Sequence, residues 1–504
     1  MNSMKRISGV LILILSAFLF MSLLSPVITS GDISYPAEID MEGSPYTVAI
    51  QVVTLPGTHN KNEKEREAAI NAITVPAINC KVDIQDIWIS DIANVTNMAV
   101  AGNEKIDLVH VGTVQPLSSL TSSDILLDLN EGDLLQNHGK QIISLFDDFL
   151  ECGNVNGRQL AVPARTFNAT ANGCMYNKQM AEKAGVAIDR HTDLDTLENA
   201  FYEIHDHYPE VYSFYQGNGE LNLLNWIEDY TSFGSEASCG IIFNKDPEYR
   251  ICNLYETDMF RDYCLRMWRW TRDGIQPGDP EDSTSSQDYF LDGKLFSMIS
   301  RIDANTAFYM TQNVPSSMDY TCFSDPMITN SNLTEYMWGI ASNSMRPDKA
   351  MDFLNYAYCD ARVANLLMFG VEDLDYFFVG RSENVIQSTG SYAPMFFQIG
   401  DRKSMLIKYP ADETFPERAT EYEQSAAVSP LCKYIFDSSD YQMETSMIYS
   451  TIMEYLPLLQ CGICSSEEET LELLEEFKFM LKASGIEEVI AANQEQLDLY
   501  LNRE

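Results

Sequence analysis

Cys461-Gly-Ile-Cys464 is the one closely spaced cysteine pair in a chain with eleven cysteines. Two thiols at this spacing suit a redox dithiol, a local disulfide or half of a zinc site. No second C-x-x-C and no nearby histidine completes a metal set, which leaves a local disulfide or two unreactive thiols. The other cysteines are scattered, and their odd total favours buried free thiols over a stapled framework. His205-Asp-His207 is the sole tight pair among six histidines; on a helix, residues two apart point to different faces. H-E-x-x-H, G-x-S-x-G, G-x-x-x-x-G-K-[ST] and G-x-G-x-x-G are all missing. With them go the fixed spacings that supply a zinc-bound water, a serine nucleophile or a phosphate cradle, so neither a cofactor nor a metal is expected. A glycosidase needs only two carboxylates about 5 to 10 Å apart, and 74 acidic residues leave that chemistry open.

The charge balance excludes other classes. The formal net charge is −41, whereas nucleic acid and anionic lipid both require a basic footprint. Nucleic acid is therefore not a partner, and the acidic surface reads as colloidal solubility. With 45% apolar and 11% aromatic residues, a chain of 504 can fill two cores. Residues 1–30 carry Lys5 and Arg6 ahead of an apolar stretch over 10–21, with no acid before Asp32. This is the pattern of a secretory signal peptide or, if uncleaved, an N-terminal membrane anchor. No cysteine follows that stretch to accept a lipid.

The elements that must position any site alternate. Residues 46–53 read as a strand, 61–78 as a helix with Ile70, Ile73 and Ala77 on one face, 81–89 as a strand, 91–101 as a short helix and 106–112 as an apolar strand. Such alternation predicts a parallel sheet covered on both faces, with ligands beyond the carboxyl ends of its strands. Residues 157–177 show no helical period, as expected of chain leaving one lobe for another. A helix over 258–272 places Met259, Tyr263, Met267 and Trp270 along one side, and 294–309 reads as a strand and turn returning. Pro347 opens a helix to 358, and Asp360 caps another that stops at Gly370. Ser466 and Glu469 form a capping box before Leu471, Leu474, Phe477 and Leu481, with Gly485 as terminator ahead of a last helix over 486–501.

Several stretches carry a resemblance. NLYETDMFRDYCLRMWRWTRDGI (253–275), WGIASNSMRPDKAMDFLNYAY and LLMFGVEDLDYFFVG (within 336–380), and SPLCKYIFDSSDYQMETSMIYSTIMEYLPLLQCG from Ser429, then LKASGIEEVIAANQEQLDLYL, resemble the extracellular solute-binding proteins of bacterial ABC importers. The likeness is to the lipoprotein-type sugar-binding family with a DUF3502-like C-terminal module, and it spans nearly all of 45–504. Two departures are the missing lipid-accepting cysteine and the segment 392–408, which lacks the Trp and Gly-Asn-Gln pattern of relatives. What the resemblance implies is an α/β, two-lobed, type II periplasmic-binding-protein-like fold with a ligand cleft at a hinge of crossing segments. Lobe 1 would comprise 45–164 plus 305–370, lobe 2 would comprise 165–304 plus part of 371–504, and the module would occupy 425–504. The implied function is non-enzymatic: a monomer, exported to the extracellular space or cell surface, that captures a small solute, a sugar or oligosaccharide, and delivers it to the permease subunits of an ABC importer. A secreted glycosidase and a surface carbohydrate sensor or adhesin are the alternatives.

A sugar cleft needs aromatic faces for the apolar side of the pyranose and charged or amide groups for its hydroxyls. Near strand ends and crossings, Trp88, His110, Thr113, Arg165, Phe167, Trp226, Arg301, Asp303, Tyr336 and Trp338 can supply these. Arg165 and Arg301 each offer a planar fork of donors. Core packing is the competing role for every aromatic in this set, and a hinge ion pair is the competing role for the charged residues.

Overall fold

Tyr46–Thr54 (β1), Cys80–Trp88 (β2) and Leu108–Gly112 (β3) run parallel, joined by the crossover helices Glu63–Ile78 (α1) and Ile92–Ala101 (α2). The computed structural model describes residues 39–502 except 55–59, 113–114, 121–123, 165, 216–223, 225–226, 280–283, 285, 311–317 and 395–397; the expected signal segment 1–30 lies outside them. β1 is buried along most of its length because it has a neighbour on each edge and helices over its faces. α1 buries Arg66, Ile70, Thr74 and Ile78, spaced four apart down one side. Val162–Pro163 (β4) is the last strand before the chain leaves this sheet.

The second lobe begins with Thr170–Asn177 (β5). It continues through Leu194–His207 (α3), Tyr212–Phe214 (β6), Asp258–Arg272 (α4), Leu295–Asp303 (β7), Met318–Cys322 (β8) and Met327–Ile328 (β9). Tyr336–Ile340 (β10) re-enters the first lobe, followed by Pro347–Cys359 (α5) and Ala361–Phe369 (α6). The remainder contains Phe415–Ser425 (α7), Ala427–Val428 (β11) and three closing helices, Gln442–Cys461 (α8), Glu467–Ala483 (α9) and Ile486–Leu501 (α10). The first sheet has the order β2-β1-β3-β10-β4; the second has β11-β9-β5-β7-β6, with β8 also on β5. β8 and β9 pair antiparallel with β5, so the chain stays with the second sheet past the expected return at residue 305 and re-enters the first only at Tyr336. Sequence order does not encode which sheet a short strand joins.

Most local signals hold. Asp360 caps α6 by accepting the Arg362 N–H, and Pro347 sits in the first turn of α5. The capping box at α9 is half formed: Ser466 accepts the Glu469 N–H, but the Glu469 carboxylate is taken by the N–H and hydroxyl of Ser465, at 2.7 and 2.5 Å. Cys461 and Cys464 are not joined by a disulfide, and neither are the other nine cysteines. The closing helices share one core with the second lobe, where Leu474, Phe477, Leu481, Val489 and Leu497 meet Phe201, Tyr255, Phe260 and Trp270.

Candidate ligand cleft

The carboxyl ends of β1, β2 and β3 lie in register at one edge, Thr54 opposite Trp88 and β3 ending at Gly112. Tyr336, the first residue of β10, pairs with Gly112 there. Gly112 has φ +143°, and a Cβ on it would stand 2.0 Å from the Glu335 carbonyl oxygen, so only glycine lets the returning chain lie this close. In the second sheet Asp303 ends β7 directly opposite Thr170, which starts β5. The strand edges where open α/β sheets place ligands thus meet where the chain crosses between lobes.

A cavity of about 140 Å³ opens at that point, lined by Phe167, Thr170, Arg301, Asp303, Asn305, Glu335, Tyr336, Gln398 and Arg402. Arg301 Nη1 lies 3.8 Å from Glu335 Oε2, joining a strand of the second sheet to the residue before β10 of the first. The Asp303 carboxylate accepts the Thr306 N–H at 2.7 Å and Asn305 Nδ2–H at 3.2 Å, which fixes the turn after β7. The lining holds two arginines and two carboxylates, a balanced set within a chain of net charge −41.

Gln398 and Arg402 arrive from a distant segment held by buried contacts. The Arg66 guanidinium lies 3.5 Å over the Tyr392 ring and 3.6 Å from the Asp375 carboxylate, and Tyr392 donates its hydroxyl to Leu367 O. Trp338 donates its indole N–H to Gln398 O at 2.9 Å, and the Arg402 N–H reaches Thr166 Oγ1 at 3.2 Å.

Of the ten candidates, Phe167, Arg301, Asp303 and Tyr336 are brought together in the cavity. His110 and Trp338 are each 1% exposed and pack edge to face, with ring centroids 6.0 Å apart. They face each other across β3 and β10 of a sheet buried on both faces, which places them in the core. Trp88 is 45% exposed at the carboxyl end of β2, outside the cavity lining. Thr113, Arg165 and Trp226 lie outside the described residues. Thr170, Asn305, Glu335, Gln398 and Arg402 were not foreseen; Glu335 and Asn305 were legible as chain neighbours of Tyr336 and Asp303, whereas Thr170 depends on the strand register. A larger cavity, about 390 Å³, lies between residues 151–157 and the module at 433–435 and 496–500. It draws on neither sheet's carboxyl edge and is not this cleft.

Two α/β lobes with a cleft at their crossings define the fold of the extracellular solute-binding proteins. Residues 430–502 match DUF3502, a domain of unknown function, so the closing helices form that module. Over 468 residues, 88% of this chain and 89% of the relative, the sequence is 22% identical to a carbohydrate ABC transporter substrate-binding protein from Streptococcus pneumoniae serotype 4. Crystal structures of the N-glycan transport solute binding protein (NgtS) from Streptococcus pneumoniae superpose with a TM-score of 0.77, covering 91% of this chain and 99% of that one at 20% identity. The same protein in complex with Man5GlcNAc gives 0.70, again at 20% identity and the same coverage. An HMO binding solute binding protein of an ABC transporter from Bifidobacterium longum infantis gives 0.56 at 14% identity, covering 91% and 99%.

Proposed function

We propose that this chain is an extracellular solute-binding protein that captures an oligosaccharide in the cleft at 167–170, 301–305 and 335–336 and presents it to an ABC importer. The observation that carries this reading is the cavity itself: two guanidinium and two carboxylate groups in balance, amides at Asn305 and Gln398, and rings at Phe167 and Tyr336. Such a set offers donors and acceptors to a neutral polyol and an apolar face to a pyranose, with no excess charge for an ionic solute. Relatives named for carbohydrate transport and for N-glycan binding support the same class of ligand. Capture would proceed by hinge closure, the ligand stabilising the closed state by its differential affinity for it. Export would rest on residues 1–30, and Trp88 would serve as an outer stacking platform at the mouth of the cleft.

Thermal shift with Man5GlcNAc, Man1GlcNAc and a maltooligosaccharide tests the reading. A ligand at a hundred times its Kd adds about 2.7 kcal/mol of stability, and one of these glycans is expected to raise Tm while being recovered intact. Absence of a shift with every glycan, or steady release of shortened sugar, would overturn it.

A further inference from the structure

Helix α7 touches both crossing segments with two consecutive side chains. The Glu423 carboxylate accepts the backbone N–H of Asn168 at 3.0 and 2.9 Å through its two oxygens, and that of Ala169 at 2.7 Å. The hydroxyl of Tyr422 donates to Ile302 O at 2.5 Å. Asn168 and Ala169 are each 2% exposed, so their amides need protein partners, and a carboxylate makes charge-assisted bonds to them. Each backbone held in this way lies between two cavity-lining residues: 168–169 between Phe167 and Thr170, and Ile302 between Arg301 and Asp303. Ile302 is fully buried, and strand alternation turns Arg301 and Asp303 to the face opposite it.

The helix is itself fixed. Phe415 and Ala419 pack with Phe167 and Ala304 in one apolar cluster, and the chain following α7 forms β11, which pairs with β9 in the second sheet. On the other side of the first crossing, the Ala164 N–H donates to Tyr336 O within the first sheet. The crossing is thereby pinned to one lobe at Ala164 and to the other at Asn168.

We propose that Tyr422 and Glu423 are positioning residues of the solute cleft, setting the register of the two crossings so that Phe167, Thr170, Arg301 and Asp303 face a common space. This rests on the oligosaccharide-binding reading above. The test compares Y422F, E423Q and, as a control destabilised far from the cleft, F477A. Kd for Man5GlcNAc or the tightest glycan of the panel is titrated well below each Tm, with the active fraction fixed by stoichiometry. Y422F and E423Q are expected to weaken binding by about tenfold, each tenfold step being 1.4 kcal/mol, while F477A lowers Tm and leaves Kd unchanged. Kd values within twofold of wild type in both clamp variants would overturn the proposal, as would an equal loss in F477A. Wild-type protein that binds no glycan counts against the cleft reading instead. Hydrogen exchange then decides the clamp: faster exchange over 168–172 and 300–304 in both variants sustains it, and unchanged exchange removes it.

Discussion

Arg301, on β7 of the second sheet, and Glu335, the residue before β10 of the first, face each other across the floor of the cleft, 3.8 Å apart, with side chains 34% and 20% exposed. An ion pair this open contributes under about 1 kcal/mol to stability, so its effect on folding is small. On the oligosaccharide-binding reading proposed above, its guanidinium donors would serve the hydroxyls of a bound sugar. Replacing Arg301 with Ala is expected to weaken glycan binding by roughly 10- to 100-fold, the loss of hydrogen bonds from a charged group being about 1.5–3 kcal/mol. Calorimetric titration reads this, and an unchanged affinity would take Arg301 out of the binding site.

Trp88 ends β2 at the same sheet edge but outside the cavity lining. A ring 45% exposed at a strand's carboxyl end can stack on a sugar unit that extends beyond the floor. Trp88→Ala should therefore cost a long glycan about 0.5–1.5 kcal/mol of binding, the scale of one stacked aromatic contact, and leave a disaccharide unaffected. Equal losses for Man5GlcNAc and Man1GlcNAc would show that the ring acts on the fold rather than on an outer subsite.

The repeating pattern of the elements was readable, whereas their pairing was not. β1, β2 and β3 announced themselves by apolar runs separated by helical periods, and Tyr336 opens the stretch 336–380 that carries the resemblance. Phe167, Arg301 and Asp303 were reachable because they lie within 157–177 and 294–309, the two stretches read as crossings between lobes. Trp338 and His110 misled because both faces of β3 and β10 are covered, and nothing local separates a residue inside such a strand from one at the edge that meets the cleft. Gln398 and Arg402 depend on Arg66 meeting Asp375 and Tyr392, contacts that join positions about 300 apart in the chain, and no local pattern marks them. α7 went unread for a related reason: it buries only Phe415 and Ala419, and its decisive contacts are made by polar atoms.

Glu236 offers a test of pH dependence. It lies in a left-handed turn at φ 54°, and burial pushes its carboxyl up to about 7. A carboxyl whose folded pKa exceeds its unfolded value binds protons more tightly when folded. Its contribution is fully present below the unfolded value near 4.5 and is lost as pH rises through 7. Glu236→Gln removes the cost of ionising a buried group, on the order of 2–3 kcal/mol. The variant is expected to match wild type at pH 4 and to melt higher at pH 8, checked by calorimetry across that range. A Tm difference that stays constant with pH would assign the effect to the turn's backbone.

Phe477 shows why the DUF3502 module is not a detachable appendage. Its ring centroid lies 4.8 Å from that of Tyr255 in the second lobe and 5.4 Å from that of Tyr455 on α8, stacked at 15° on the latter. Phe477 is fully buried, as are Tyr255 and Phe260, so the module and the lobe complete a single core. Phe477→Ala leaves a cavity with part of its wall on each side and should cost about 3–5 kcal/mol, roughly 8–15 °C for a unit of this size. Because the core is shared, the loss should appear as one transition in which α4 and α9 unfold together, followed by calorimetry and by hydrogen exchange of 258–272 and 467–483. Exchange that accelerates only in 467–483 would mean that the module unfolds on its own.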